Sequence, residues 1–410
     1  MNLILFDEPV LRANLLPFTF TRPVADIRIG ILTIAQKWST LSNEPVSYLT
    51  QDYLQGKFPP IAPGQKNNVY VNGAVCPTPE LLDQIKSLAE GQWLTLDGLI
   101  IAINAGNQAY PSVDALYQQP NKTGQGTEVK GAVTVVRQPW EIFKFNGDQI
   151  RSDFQLLTQG RESQPITDKY TMVYAPENIF VEEGAKIKAA ILNAENGPIY
   201  IGKNAEVHEG AIIRGPFSLG EESHVNIGGK MRGDISIGPF CKVGGEVNNC
   251  VFFGYSNKGH EGFLGNSVIG EWCNFGADTN NSNLKNNYAE VKIWSHAKER
   301  FVNTGLQFCG LMMADHVKCG INTMFNTGTV VGIGANVFGA GYPRNFIPAF
   351  SWGGVGNIET FQLRKFFEVA DVVMGRRGLA FTEEERNIYA HLFDSTKPSR
   401  TWDKPVSPTA

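Results

Sequence analysis

"IGKNAEVHEGAIIRGPFSLGEESHVNIGGKMRGDISIGPFCKV", residues 201–243, carries an apolar side chain at every sixth position. Those positions are Ile201, Val207, Ile213, Leu219, Val225, Met231, Ile237 and Val243, and Gly202, Gly220, Gly238 and Gly244 directly follow four of them. An amphipathic helix repeats near 3.6 residues and a half-buried strand repeats at 2, so neither accounts for a period of six. A hexapeptide period fits a parallel β-helix, in which each sextet makes one short strand and a corner and sends one apolar side chain inward. Three sextets close a triangular coil, and coils of this kind wind left-handed, against the usual right-handed crossover. The register returns at Met313, Cys319, Phe325, Val331 and Val337, and begins earlier at Val181 and Ile187. It lapses at about 249–268 and again at 280–310; both stretches read as loops leaving the prism, the usual place for chemistry on a rigid scaffold.

The flanks read differently. Residues 1–165 alternate β-rich runs (LILF, VSYLT, NVYVNG, WLTLDGLIIAI) with helical stretches such as TPELLDQIKSL and DQIRSDFQLLTQG. That alternation predicts an α/β domain with a largely parallel sheet. "ESQPITDKY" (162–170) reads as a linker, 176–356 as the left-handed β-helix, and 357–394 as helices that include the capping box Thr382-x-x-Glu385. The Pro-rich end, 395–410, reads as a disordered tail.

Composition narrows the function classes. Charged residues make up 19% of the 410-residue chain and the net charge is -4, with no basic run, so nucleic acid is not an expected partner. No 18-residue apolar window occurs, so no membrane span is expected. The start, MNLILFDEPVLR, lacks a signal-peptide pattern. Six cysteines without CxxC spacing suit a reducing cytosol, and the expected location is cytoplasmic.

An α/β domain followed by a hexapeptide β-helix resembles the GlmU-like family, the bifunctional uridylyltransferase/acetyltransferases that make UDP-N-acetylglucosamine, and the sugar nucleotidyltransferases related to them. "EVNNCVFFGYSNKGHEGFLGNSVIGEWCNFGADTNNSNLKNN" (246–287) is similar, without gaps, to the acetyltransferase segment of that family. The resemblance implies that His260 is the catalytic base, that Asn283 is a catalytic residue able to orient or polarise it, and that Asn274 belongs to the active site. It also implies that Ala277 contacts acetyl-CoA, the acyl donor. Phe263 stands at a substrate-binding tyrosine position and Asn248 at a phosphate-binding lysine; Lys230 or Arg232 takes the place of a family arginine. The resemblance further implies a homotrimer acting on a sugar phosphate or nucleotide sugar.

Chemistry agrees with that assignment, since a neutral imidazole can accept the proton of an amine attacking a thioester at cytoplasmic pH. The structural alternatives are plain too. A histidine in a Gly/Asn-rich stretch can simply bond a turn, and Asn274 and Asn283 suit corners because asparagine tolerates left-handed backbone.

In the N-terminal half, "LLPFTFTRPVADIR" (15–28) resembles the nucleotidyltransferase signature L-x-P-L-T-x-x-x-P-K. It implies nucleotide contacts at Arg12, Asn14 and Arg22, with Arg28 nearby, and at Asn72 and Gly73 of "VYVNGAVCPTPELL". The family's Gly-rich phosphate loop is replaced by "DEPVLRAN", its lysine by Val24, and its Mg2+-holding aspartate by Ala74; Asp97 is the substitute carboxylate nearest to hand. Mg2+ at this domain is implied only by the resemblance. His208 and His224 lie next to inward positions, as in a zinc-dependent β-helix carbonic anhydrase, but with no H-x4-H spacing, and no metal site is expected there.

Three functions remain in view. The first is a transferase with CoA-dependent acyl transfer to an amino sugar, His260 being the general base. The second is a sugar-1-phosphate nucleotidyltransferase active in the N-terminal domain. The third is a non-catalytic nucleotide-sugar-binding or regulatory protein.

Overall fold

A computed structural model describes residues 1–62, 64–118 and 126–403. The chain divides into two compact units, one of 1–28 with 32–139 and one of 29–31 with 140–410.

The first unit is an α/β domain around a six-stranded sheet. Its strands are β1 (Asn2–Phe6), β2 (Val46–Leu49), β3 (Asn68–Asn72), β4 (Trp93–Leu96), β5 (Leu99–Gly106) and β6 (Thr127–Glu128), in the order β2-β1-β3-β5-β4-β6. The apolar run Leu3–Phe6 is buried on both sides, as the central strand of such a sheet requires. The sheet is mixed rather than largely parallel. β5 runs antiparallel to both neighbours because Asp97 and Gly98 (φ 52° and 80°) make a two-residue hairpin between β4 and β5. Asp97 is therefore a turn residue, which accounts for it without a metal role.

The second unit is the left-handed parallel β-helix, a solenoid of about ten turns, with helices at its C-terminal end. All eight sextet positions between 201 and 243 point inward and are buried. The coil fixes who meets whom: Glu206 pairs with His224 and Ile212 with Lys230, each 18 residues on. One face (here the first) holds strands such as Ile199–Ile201, Phe217–Leu219 and Ile235–Ile237. The second holds Glu206–Val207, His224–Val225, Lys242–Val243, Asn257–Lys258, Asn274–Phe275 and Lys318–Cys319. The third holds Ile212–Arg214, Lys230–Met231 and the start of Glu246–Gly254 and Phe263–Glu271. Where one coil rests on the next there is no room for a side chain: a Cβ on Gly220 would come within 2.5 Å of the Gly238 carbonyl carbon, and one on Gly276 within 2.4 Å of that of Gly320.

The lapse at 249–268 is not a loop. Strands Glu246–Gly254 and Phe263–Glu271 lie parallel over their length, Glu246 beside Phe263 and Gly254 beside Glu271. The coils there shorten: Lys242 meets Asn257 only 15 residues on, and Asn257 meets Asn274 after 17. One inward position of these coils is Lys258, so the apolar sextet vanishes while the winding continues. The stretch from 283 to 310 does leave the prism, carrying an antiparallel pair, Lys292–Ser295 with Arg300–Asn303.

The helix Asn146–Thr158, read above with the N-terminal domain, belongs to the solenoid unit. Its buried Asn146 accepts from Gly30 N (2.8 Å) and Ser236 Oγ (2.9 Å) and donates to Asp234 O (2.9 Å). The expected linker is also fastened: Gln164 N donates to Val181 O (2.8 Å), and Asp168 accepts from Ala189 N (2.9 Å). At the C-terminal end, helices Leu363–Gly375 and Glu383–Ser395 pack Phe366 and Tyr389 on His316 and Phe350, and the capping box at Thr382 is formed. The tail expected to be disordered from 395 is ordered to 403, because the buried Arg400 stacks 4.4 Å from the Phe393 ring and donates to Phe393 O (2.7 Å). Residues 404–410 of that tail lie outside the described residues.

The interior column predicts its own mutational signature. Phe252→Ala, at an inward position with no exposure, should cost about 3–5 kcal/mol in denaturant titrations. Ile227→Ala, 73% exposed, should change stability by less than about 0.5 kcal/mol.

Candidate functional site

Along the second face, where the C-terminal helices close over the solenoid, lies a cavity of about 840 Å³. The coil register builds its floor: Lys242, Asn257, Asn274 and Lys318 are successive outward residues of neighbouring strands. Tyr255 and Trp272 form a wall. They belong to a ladder of corner residues, Phe240, Tyr255, Trp272 and His316, stacked at 5.1, 4.3 and 5.9 Å with φ between 53° and 62°. Bulky side chains seldom adopt this left-handed backbone, and the repeated stacking offsets its cost. The far wall carries Val373, Arg376 and Arg377 at the end of the helix Leu363–Gly375, with Arg377 Nη2 donating to Asn257 Oδ1 at 3.2 Å. Arg376, Arg377, Lys242 and Lys318 give the cavity a cationic lining suited to an anionic ligand.

His260, Asn274 and Ala277 all line this cavity. His260 is exposed and sits at the corner between Asn257–Lys258 on the second face and Phe263–Glu271 on the third. Its carbonyl accepts from Lys258 Nζ (3.0 Å), which also donates to Gly244 O (3.1 Å) inside the prism. Burial pushes the Lys258 ammonium down to about 8. Lys318, an outward residue two strands further on, donates to Trp272 O (2.7 Å) and His316 O (3.1 Å) and is likewise pushed down to about 8 by burial.

The remaining candidates of this unit gather on the third face, across the His260 corner. Lys230, Glu246 and Phe263 stand in one row, and Asn248 is opposite Gly265. Lys230 pairs with Glu261 (3.2 Å) and Arg232 with Glu246 (2.8 Å), both on the surface. Asn283 is not among the residues lining the cavity; its Nδ2 donates to Asn266 Oδ1 at 2.8 Å, packed against Gly265, so it does not orient His260 within this chain.

In the first unit the expected nucleotide contacts are engaged with the protein itself. Arg12 is buried, bonding Asp7 (2.9 Å), Thr19 O (2.5 Å), Arg22 O (3.2 Å) and Tyr53 OH (2.9 Å). Asp7 also accepts from Val24 N (2.7 Å) and Thr50 Oγ1 (2.5 Å); burial raises its carboxyl pKa although Arg12 works against it. Arg22 is buried beside Asp26 (3.6 Å), and Arg28 is buried too. Asn72 ties Ile100 O to Ala74 N, and Gly73 sits where a Cβ would come within 3.2 Å of Ala25 N and Phe6 O. Asn14, half-buried, ends the short helix Pro9–Asn14. At the start of that helix Glu8 caps Leu11 N (2.6 Å), placing a carboxylate where a phosphate would be cradled.

Sequence reasoning missed Lys258, Lys318, Lys242, Asn257, Tyr255, Trp272, Arg376 and Arg377. Counting 18-residue coils misses Asn257 and Lys242 because the coils there are 17 and 15 residues long; no local signal marks Arg376 and Arg377, which reach the site only through the packing of the terminal helix.

The family model described as "Sugar nucleotidyl transferase" matches residues 3–162. A "Bifunctional sugar-1-phosphate nucleotidylyltransferase/acetyltransferase" of Sulfurisphaera tokodaii is 34% identical over 160 residues, 38% of this chain and 37% of its own. A "Bifunctional protein GlmU" of Methanocaldococcus jannaschii is 34% identical over 87 residues, 21% of each chain. This chain thus spans well under half the length of the curated relatives it matches, and the GlmU-like resemblance read from the sequence is upheld. A solved structure of a mutant AntD, an N-acyltransferase from Bacillus cereus, with dTDP and coenzyme A, aligns with 50% of this chain and 90% of its own at 14% identity and TM-score 0.22. Among the described residues no helix is long and apolar enough to cross a membrane.

Lys258 gives a pH test of the corner. Below about pH 8 the folded chain carries this ammonium buried, at a cost on the order of 3 kcal/mol relative to its unfolded pKa; the cost fades as pH rises toward 10.5, where both states lose the proton. Lys258→Met should therefore be more stable than wild type near pH 7, and that advantage should shrink between about pH 8 and 10.5. The comparison must be variant against wild type, because buried thiols (Cys250, Cys273 and Cys309 held up to about 12) destabilise both as pH climbs past the ordinary thiol range.

Proposed function

We propose that the β-helix unit transfers an acyl group from a CoA thioester, acetyl-CoA in the simplest case, to the amine of an amino sugar carried as a sugar phosphate or nucleotide sugar. The observation that carries this reading is the cavity that brings His260, Asn274 and Ala277 together under Arg376 and Arg377. The arginines and Lys242 meet the phosphates of the donor, whose pantetheine arm runs along the second face toward the corner. The acceptor lies on the third face by Lys230, Arg232, Asn248 and Phe263, its phosphate exchanging with Glu261 and Glu246 for the two cations. The name of the Sulfurisphaera tokodaii relative, which includes acetyltransferase, supports this reading.

In the reaction, His260 takes a proton from the attacking amine, whose lone pair forms the C–N bond at the thioester carbon. The Asn274 amide donates to the oxyanion that develops. The C–S bond then breaks, and the departing thiolate takes the proton from the imidazolium. Lys258 is a positioning residue: it holds the carbonyl of His260 and so fixes the corner. A homotrimer would bring a second copy to the third face, where Asn283 and Asn266 stand apart from the cavity; the setting is cytoplasmic.

The family match over residues 3–162 favours a second activity, joining a sugar 1-phosphate to a nucleoside triphosphate with Mg2+. Against it stand the engaged Arg12, the Glu8 cap and Ala74. Binding of nucleotide sugars without turnover is the corresponding non-catalytic role.

His260→Ala should lower CoA-thiol release from acetyl-CoA with a panel of amino-sugar phosphates and nucleotide amino sugars by about 10²–10⁴-fold, at nearly unchanged stability. An unchanged rate refutes the acyl-transfer reading, whereas Mg2+-dependent pyrophosphate release from sugar 1-phosphates supports the second. Arg376→Ala with Arg377→Ala should raise KM for acetyl-CoA by roughly 10–100-fold with little change in kcat, since charge-assisted bonds remote from the reacting atoms act on ground and transition state alike.

A further inference from the structure

The second face carries another cluster outside the cavity. Glu206 and His208 flank the inward Val207, so both leave the prism on its outer side. One coil on, His224 lies in register opposite Glu206. A ring nitrogen from each histidine and a carboxylate oxygen of Glu206 all fall within 4.8 Å of one another, and the three side chains are half-buried. The two imidazoles are 5.5 Å apart between ring centres, and His208 Nε2 is 3.1 Å from Glu206 Oε2.

We propose that Glu206, His208 and His224 form a binding site for one divalent transition-metal ion of the zinc class. Two imidazoles and one carboxylate are the donor set of borderline metals, whereas Mg2+ and Ca2+ take oxygen. Three protein ligands leave the fourth position to water. Bonds near 2.0–2.1 Å need donors roughly 3.4 Å apart, so the present spread of up to 4.8 Å has to close somewhat on binding.

The Glu206 carboxylate already faces Lys186 and His208 and lies in register opposite His224. Binding breaks the His208–Glu206 hydrogen bond, and Nε2 ligates as the tautomer whose imidazole proton sits on Nδ1. Lys186, whose Nζ is 2.9 Å from Glu206 Oε1, competes for the carboxylate and is the chief opposing charge. The strand Lys242–Val243, which pairs with His224, also carries the Lys242 that lines the cavity, so the ion would sit one rung from it.

The test is titration of the metal-free full chain with Co2+, read by visible absorption, and with Zn2+ against a chromophoric chelator. One equivalent per chain should bind with micromolar or tighter affinity. His208→Asn or His224→Gln should weaken it at least about 100-fold, since even residues behind metal ligands are worth 10–100-fold. Far-UV circular dichroism checks that these variants fold. Lys186→Ala, at an exposed position, should tighten binding and decides the matter if the histidine variants unfold. Absence of a Co2+ spectrum at saturation, an unchanged stoichiometry and affinity in the His208→Asn/His224→Gln double variant, or unchanged or weaker binding in Lys186→Ala would overturn the site.

Discussion

Parallel stacking of coils is the constraint on which the second unit rests. Each strand is only two or three residues long in most coils and is stable only because the next coil completes its hydrogen bonds and covers its apolar side chain. Residues one coil apart are therefore close neighbours, and every functional grouping above is a product of that translation. The cavity floor (Lys242, Asn257, Asn274, Lys318), the aromatic corner ladder and the Glu206–His224 pair each repeat one position of the coil, with His208 beside Glu206 across the inward Val207.

The same constraint explains why a lysine is tolerated inside the prism. Lys258 replaces an inward apolar residue where the coils shorten, and its ammonium is satisfied by two carbonyls, one of them that of His260. A buried cation of this kind costs stability. Its position directly behind the candidate base is consistent with a local cost accepted for a rigid corner.

Much of this was legible in the sequence, because an interior column leaves a strict spacing: Ile201 to Val243 and Met313 to Val337 read as inward and are inward. The reading failed where spacing and polarity changed together. Between 246 and 271 the coil loses residues and Lys258 interrupts the apolar column, so continuous winding looked like a loop. His260, Asn274 and Ala277 were found by resemblance and do share a cavity; Asn283 was found the same way and does not line it. Arg376 and Arg377 reach the cavity from about a hundred residues away, through helix packing that no local pattern encodes. In the N-terminal domain, Arg12 and Asn72 match a signature and also hold bonds within the domain itself, which the signature does not reveal.

At the centre of the account is a division of labour across one corner, donor on the second face and acceptor on the third, with His260 between them. A structure of the full chain bound to coenzyme A examines this most directly. The account predicts the nucleotide phosphates at Arg376 and Arg377 and the thiol end within reach of the His260 imidazole. Coenzyme A bound elsewhere on the chain, or lying in the cavity with its thiol directed away from His260, would contradict it.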